Sequence, residues 1–377
     1  MSGSSGRRVL VVLNVADSQC VPYELAARMA RRGVWDVSIV AFREREGAFP
    51  HEQFGVPVEV LGGRGPLKLG AALRLWRRLR RERPDVVHVH VPVSSVWGTL
   101  LGRAAGSRVV KTEHNDVTSY RLTKRIVNAA MYLLTARVIG NSQSTLDSFG
   151  PIERGTTARR STFIYNGVDF GLADDAAGVR AEARRELGLR DDEIAIGSVA
   201  RFVEQKNLVR LVRAFARVRA EVARPLRLVL VGAGRLRGEL EQAARAAKVE
   251  DAVLFTGALE RKRVFRTLAA LDVYAVPSLW EGFCNAAVEA AGSGLPILAA
   301  DIPTLREVLG THARFADPAD ETAIARELRA LIETPDAERR ALGASARAFV
   351  RERYGIERAS ERYEAELGRI ANGRHAV

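Results

Sequence analysis

Cysteine is almost absent: Cys20 and Cys284 are the only two in 377 residues. Two thiols that far apart, in unrelated contexts, exclude a disulfide framework and any cysteine-based metal site, and they fit a reducing compartment. Aromatic residues make up 6% of the chain, and no basic stripe is interleaved with them, which argues against a nucleic-acid-binding protein. Only six histidines occur, and no clustered Asp/Glu/His motif offers ligands to a metal. Long apolar runs are missing too. The first run, 9–13, follows basic residues but stops at Asn14, too short for a signal segment or a spanning helix. No stretch approaches the roughly 18 uninterrupted apolar residues a spanning helix needs. A cytoplasmic protein that does not cross a membrane is expected.

What is present is abundant positive charge and a regular alternation of segments. The formal charge of +13 points to anionic partners: nucleic acid, a membrane surface or phosphorylated substrates. The length exceeds what one hydrophobic core covers comfortably and predicts two domains. Hydrophobic residues at 47% and charged residues at 27% are the mix of a soluble globular chain. Short β-branched runs at 9–13, 37–41, 86–91, 109–112, 137–140 and 161–164 alternate with helical patterns such as 22–32. A second series follows at 195–200, 226–231, 253–256, 273–276 and 297–299. Continuous apolar strands separated by helices are the pattern of parallel sheets covered on both faces. The expectation is an α/β protein of two doubly wound domains, 1–175 and 179–355. The polar stretch 166–178 is the predicted linker, and the last helix, 356–371, has no strand after it.

Three strings carry candidate chemistry. The first is PSLWEGFCNAAVEAAGSGLPILAAD, 277–301. A strand ends at Pro277 and Ser278, Gly282 allows a tight turn, and a helix starts near Cys284. Such a helix start presents free amides and a positive dipole end, which suits a diphosphate. Glu281 precedes that helix and Glu289 lies two turns into it, about 10 Å away at about 1.5 Å per residue. That is the span from a sugar ring to a ribose across a diphosphate, and carboxylates accept hydrogen bonds from hydroxyls. The second string is SVARFVEQKN, 198–207. Arg201 and Lys206 bracket the turn after a parallel strand, at the sheet edge where ligands bind in open α/β folds, and could neutralise a leaving diphosphate. The third, VLVGAGR at 229–235, places Gly232 and Gly234 in a turn at the same edge.

EGFCNAAVE has the Glu, seven residues, Glu spacing of the family-four retaining glycosyltransferases, which have the GT-B fold. ARFVEQKN resembles that family's Arg…Lys phosphate motif, and LVLVGAG its following strand and glycine turn. RPDVVHVH, TEHNDV, VIGNSQST and YNGVDF resemble its first-domain landmarks in order, so the likeness covers nearly the whole chain. The resemblance implies two Rossmann-like domains facing across a cleft, the first for the acceptor and the second for the donor, with the segment 356–377 crossing back to the first. It implies that Arg201 and Lys206 bind the diphosphate of a nucleotide-sugar donor, with Gly232 and Gly234 of the glycine turn among the donor-binding residues. Glu281 would contact the transferred sugar, the amides around Gly282, Phe283, Cys284, Asn285 and Ala286 the sugar and phosphate, and Glu289 the ribose. His114 matches the first-domain histidine near the reacting centre. A UDP-linked donor, no cofactor and no metal are expected.

Two positions depart from the family pattern. Where many members have a Gly-Gly loop after the first strand, this chain reads NVADSQC, so Asp17, Ser18 and Gln19, with Asn115, are candidates for the acceptor side. Cys284 stands where glycine is common, and no catalytic role is assigned to it. The acceptor is left open among a carbohydrate, a lipid-linked glycan and a small molecule. The stretch 69–84 has Ala72, Leu75, Trp76 and Leu79 on one helical face, with Arg74, Arg77, Arg78 and Arg81 on the rest. It is either an ordinary basic-faced helix or a surface that docks on anionic lipid. A sugar-nucleotide epimerase of the same fold is the alternative activity.

Overall fold

A computed structural model describes residues 6–16, 21–44, 55–63, 68–90 and 92–373. Asp17, Ser18 and Gln19 lie outside them, as does Cys20. The chain divides into two units, one made of Met1–Gly167 with Ile356–Val377 and the other of Val168–Gly355.

The first unit is built on a seven-stranded parallel sheet: β1 (Arg7–Ala16), β2 (Trp35–Glu44), β3 (Val58–Val60), β4 (Val86–His90), β5 (Arg108–Glu113), β6 (Arg137–Gly140) and β7 (Ser161–Phe163), in the order β3-β2-β1-β4-β5-β6-β7. The second has six: β8 (Ile194–Val199), β9 (Leu226–Val231), β10 (Val253–Gly257), β11 (Val273–Val276), β12 (Ile297–Ala300) and β13 (Arg314–Ala316), in the order β10-β9-β8-β11-β12-β13. Every recorded pairing is parallel. Both orders run outward one way from the first strand and then jump back to its other side. Each sheet therefore has a switch point, between β1 and β4 and between β8 and β11. Strands buried on both faces read as unbroken apolar runs, which is why most of the eleven predicted ones stood out; β7 is a half-buried edge strand. The two missed strands, β3 and β13, have three residues each at the sheet edge, and their side chains are mostly half-buried or exposed.

The last helix, Ile356–Ala371, packs on the first unit. Tyr363, Leu367 and Ile370 join a core formed by β1, β2 and the helix Val21–Arg32. Charge fixes its register: Arg28 pairs with Glu357 at 2.8 Å and Arg32 with Glu364 at 2.9 Å. The predicted linker 166–178 is partly structure. It holds the short helix Gly171–Asp175, whose Asp174 accepts from Arg347 at 2.9 Å and Arg351 at 2.8 Å. Those bonds assign it to the second unit, and the division falls at Gly167 rather than at 175. A Cβ on Gly167 would stand 2.6 Å from the Ile356 Cα, so glycine is required where the chain first passes its returning end.

The helix Leu69–Glu82 buries Ala72, Leu75 and Leu79 as expected, with Trp76 half-buried. Its arginines are not all on the outer face. Arg78 is buried and pairs with Glu59 at 2.6 Å and Glu82 at 2.9 Å. Arg74 donates to the Leu61 carbonyl at 2.7 Å. The acid on β3 that captures Arg78 lies 19 residues away in sequence, beyond any helical-face argument.

Leu367 is completely buried. Leu367→Ala should lower the unfolding free energy by about 2–5 kcal/mol, read from urea midpoints. A cost well under 1 kcal/mol would mean that the helix does not complete this core.

Candidate functional site

The second unit's switch point is assembled by cross-bonding between turns. After β8 the chain makes the turn 200–207, and after β11 the turn 277–284. The Gln205 carbonyl accepts from the Leu279 amide at 2.8 Å, and the Gln205 side chain donates to the Trp280 carbonyl at 2.8 Å. Asn207, in the left-handed region at φ 55°, donates to the Pro277 carbonyl at 3.0 Å and the Pro318 carbonyl at 2.8 Å. These bonds lock the two turns edge to edge. Lys206 then meets Glu281, Nζ to Oε1, at 2.5 Å. Burial alone would lower the Lys206 pKa, but Glu281 outweighs it and the ammonium is held above its ordinary value. The Glu281 backbone carbonyl accepts from buried Thr304 at 3.0 Å, which fixes the root of that side chain. Arg201 is exposed at the rim.

The glycine turn after β9 lies against the same strand end. Gly232 and Gly234 have φ of 135° and 158°, and a Cβ on them would stand 1.9 Å from the Ala200 oxygen and 2.4 Å from the Phe202 oxygen. Only glycine permits backbone to stack on backbone there. Phe202 donates to the Ala233 carbonyl at 2.9 Å, and the Leu236 amide to the Phe202 carbonyl at 3.1 Å.

On the other side the helix Asn285–Gly292 begins directly after the turn, capped by Cys284 at φ 69°. Cys284 is a buried thiol, pushed well above its ordinary pKa by burial and by the neighbouring Glu281 carboxylate. It is neutral and inert as a nucleophile. Phe283 is buried with its ring edge-on to Tyr354, centroids 5.2 Å apart, so only its backbone is available to a ligand. Asn285 and Ala286 are half-buried in the first turn, where amides and dipole favour an anion. Glu289, on the buried side of this helix, pairs with Arg261 at 2.9 Å. Arg261 opens the helix Arg261–Ala270 after β10 and was missed in the sequence, where it is one cation in the run RKR with no pattern of its own.

Ten predicted residues thus gather around one sheet edge with Arg201 at the rim: Lys206, Gly232, Gly234, Glu281, Gly282, Phe283, Cys284, Asn285, Ala286 and Glu289. His114 and Asn115 belong to the first unit, just after β5. His114 joins a chain of imidazoles along β4 and β5. His90 Nδ1 and His114 Nε2 are 2.9 Å apart, and His88 Nε2 reaches the Thr112 hydroxyl at 2.8 Å. The rings of His88 and His90 lie 4.1 Å apart. Burial, with the His114 imidazole nearby, lowers His88 to about 3; burial lowers His114 to about 4 against the opposing pull of Glu113. His90 is also held well below its ordinary value. All three are neutral near pH 7. Asn115 donates to the Tyr120 hydroxyl at 3.5 Å. Lys68, also missed, reaches Asn14 at the end of β1 at 2.5 Å, at the first unit's switch point.

Two doubly wound parallel sheets, the second carrying a cation, two carboxylates and a helix start at its strand-order reversal, define a glycosyltransferase of the GT-B fold. The family model described as Glycosyl transferases group 1 matches residues 179–349, and that of Glycosyltransferase Family 4 matches 21–171. The D-inositol 3-phosphate glycosyltransferase of Xylanimonas cellulosilytica is 32% identical over 304 residues, covering 73% of this chain and 70% of its own length. The 2-deoxystreptamine N-acetyl-D-glucosaminyltransferase of Streptomyces fradiae is 29% identical over 331 residues, covering 81% and 77%. Anabaena HepE, solved in complex with UDP and glucose, superposes with a TM-score of 0.83 at 21% identity, covering 96% of this chain and 99% of its own. The chain belongs to the family-four glycosyltransferases.

The buried neutral imidazoles make stability depend on acid. Unfolded histidines take up a proton near 6.5, whereas folded His114 and His88 resist until about 4 and about 3. Below pH 6.5 the unfolded state binds more protons, so stability falls as pH falls, by up to about 1.4 kcal/mol per pH unit for each such group. Urea titrations at pH 7, 6, 5 and 4.5 should show this slope, and His88→Gln should make it shallower. An unchanged slope in the variant would mean that His88 is not held neutral.

Proposed function

We propose that the chain transfers a hexosyl or N-acetylhexosaminyl unit from a UDP-linked sugar to an acceptor hydroxyl, with retention and without a metal. The observation that carries this reading is the Lys206–Glu281 contact of 2.5 Å, placed at the switch point beside a helix start and a glycine turn. A diphosphate at that edge meets the Lys206 ammonium, which keeps two donors beyond the one shared with Glu281, the Arg201 guanidinium and the first-turn amides. The same groups take up the negative charge that grows on the departing phosphate. Protein cations fill the place a metal would otherwise take.

Glu289 receives the ribose hydroxyls, and Arg261 orients its carboxylate for them. Glu281 receives hydroxyls of the transferred sugar. UDP is favoured by the HepE complex, and an N-acetylhexosaminyl unit by the activity named for the S. fradiae relative. In the reacting step the acceptor oxygen bonds to the anomeric carbon, the bond to phosphate breaks, and the acceptor proton passes to the departing phosphate oxygen on the same face. The acids on either side of His114–Asn115 are engaged elsewhere, which favours this route over a carboxylate nucleophile. Glu113 is buried against Lys111 at 2.7 Å and Tyr132 at 2.9 Å, and Asp116 accepts from the Thr118 amide at 2.8 Å. His114 supplies a neutral imidazole, and Asn115 lies on the acceptor-binding unit. A carbohydrate, a lipid-linked glycan and a small molecule all present the hydroxyl this step requires.

Lys206→Ala should cut UDP release from the donor at least tenfold, since a cation aimed at a leaving phosphate contributes several kcal/mol, about 3 or more. Folded variant that keeps more than a tenth of wild-type turnover removes Lys206 from the phosphate site.

The two glutamates should fail differently. Glu289→Gln weakens a contact made equally in ground and transition states, so the donor KM and the Kd for UDP rise while kcat holds. Glu281→Gln acts at the sugar whose anomeric carbon gains positive charge, so kcat falls. UDP affinity is then unchanged or tighter, because the Lys206 ammonium loses a competing carboxylate. Calorimetry with UDP and steady-state kinetics with the full donor read both; lost UDP affinity in the Glu281 variant with retained affinity in the Glu289 variant reverses the two roles.

A further inference from the structure

The helix Leu122–Leu134 is polar inside and apolar outside. Its buried residues are Asn128, Ala129 and Tyr132, and the polar two meet a buried network on β5. Lys111 donates to Asn128 at 3.0 Å and pairs with Glu113 at 2.7 Å, and the Tyr132 hydroxyl donates to Glu113 at 2.9 Å. The outward side carries Leu122 at 60% exposure, Ile126 at 52%, Val127 at 46%, Leu133 at 58% and Leu134 at 37%. At about 100° per residue these five, with exposed Thr123 and Ala130, fall within one arc of about 140° that contains no charged residue. A surface helix packed on a soluble core shows the opposite arrangement. A contiguous apolar face of this kind marks a contact with something less polar than water.

The surroundings say what that contact is. Residues 121–160 contain seven arginines and lysines against two acids. Of the acids, Glu153 is taken by Arg125 at 2.7 Å. Arg121, Arg154 and Arg159 are exposed: the first at the start of the helix, the second on the helix Pro151–Thr157, which packs beside it and exposes Ile152, and the third just after that helix. Large aliphatic side chains bordered by cations match the acyl boundary and headgroups of an anionic bilayer. No described helix is long and apolar enough to cross a membrane, and thirteen residues span only about 20 Å, so the helix would lie in the interface plane. The helix Leu69–Glu82, with the same sequence expectation, uses Arg78 and Arg74 on partners inside the fold.

We infer that the outward face of Leu122–Leu134 docks the first unit on an anionic lipid surface. The site is distinct from the donor-binding residues and does not depend on the donor's identity. The full chain is sedimented with vesicles of phosphatidylglycerol and phosphatidylcholine in equal parts, and with phosphatidylcholine alone. Wild type should be a monomer by light scattering without lipid, sediment with the mixed vesicles, and bind phosphatidylcholine at least tenfold more weakly. Ile126→Glu with Leu133→Glu should lower binding to the mixed vesicles at least tenfold, with circular dichroism and melting temperature unchanged because both side chains are exposed. Arg77→Glu with Arg81→Glu on the other helix should leave binding intact. Absence of vesicle binding overturns the inference, as does binding that the Ile126/Leu133 variant retains, equal binding to phosphatidylcholine, or loss in the Arg77/Arg81 variant alone. A lipid-free dimer that the Ile126/Leu133 variant dissociates would show that a second copy covers this face.

Discussion

The contact between Lys206 and Glu281 brings a cation and an anion together where both have lost most of their water. Burying such a pair costs more than a surface ion pair does, and it persists only when the geometry around it is fixed. Here the fixing is done by neutral hydrogen bonds, one between backbones and four from side chains to backbone carbonyls: the Leu279 amide to Gln205, the Gln205 side chain to Trp280, Asn207 to Pro277 and Pro318, and Thr304 to Glu281. Those bonds hold two turns in register across the gap where strand order reverses. The arrangement of the residues around that gap follows from that register, and the positions of the glycine turn and the helix start follow from the strands that feed them.

The first unit solves a different problem. Its central strands carry His88, His90, Lys111 and Glu113 into the interior, where β-branched residues would be cheaper. The alternation of β5 sorts them: Lys111 and Glu113 face the helix Leu122–Leu134, while Thr112 turns to His88 and to Tyr363 on the last helix. Neutral imidazoles on one side and a closed ion pair on the other let the sheet hold polar groups without leaving net charge in a poorly solvated place.

Much of this was legible in the residues. Parallel strands announce themselves as apolar runs, and the Glu281–Glu289 spacing and the Arg201–Lys206 bracket pointed to one sheet edge. What escaped was set by distance in the chain. Arg261 acquires meaning only when β10 delivers it to Glu289, and Lys68 only when it reaches Asn14. Arg78 looked solvated because a helical projection does not contain Glu59. At Phe283 only the backbone was singled out, and its ring packs edge-on to Tyr354 in the core. His88 and His90 went unremarked in the sequence, although two polar rings in an otherwise apolar strand are the one signal that could have found their grouping with His114.

The second unit leaves and rejoins the first at neighbouring points. Val168 donates to the Tyr354 carbonyl at 2.8 Å and bridges to Gly355, while Gly167 lies against Ile356. Topologically the whole of 168–355 is an insert with adjoining ends, spliced into a protein whose own sheet is complete before it and whose last helix resumes after it. Segments with adjoining ends are the ones chains exchange without disturbing what surrounds them. Every residue assigned to the donor sits inside that insert. Under the proposed function, donor choice would be inheritable as a single cassette, exchanged at two glycine-flanked joints while the other half of the chain stayed as it was.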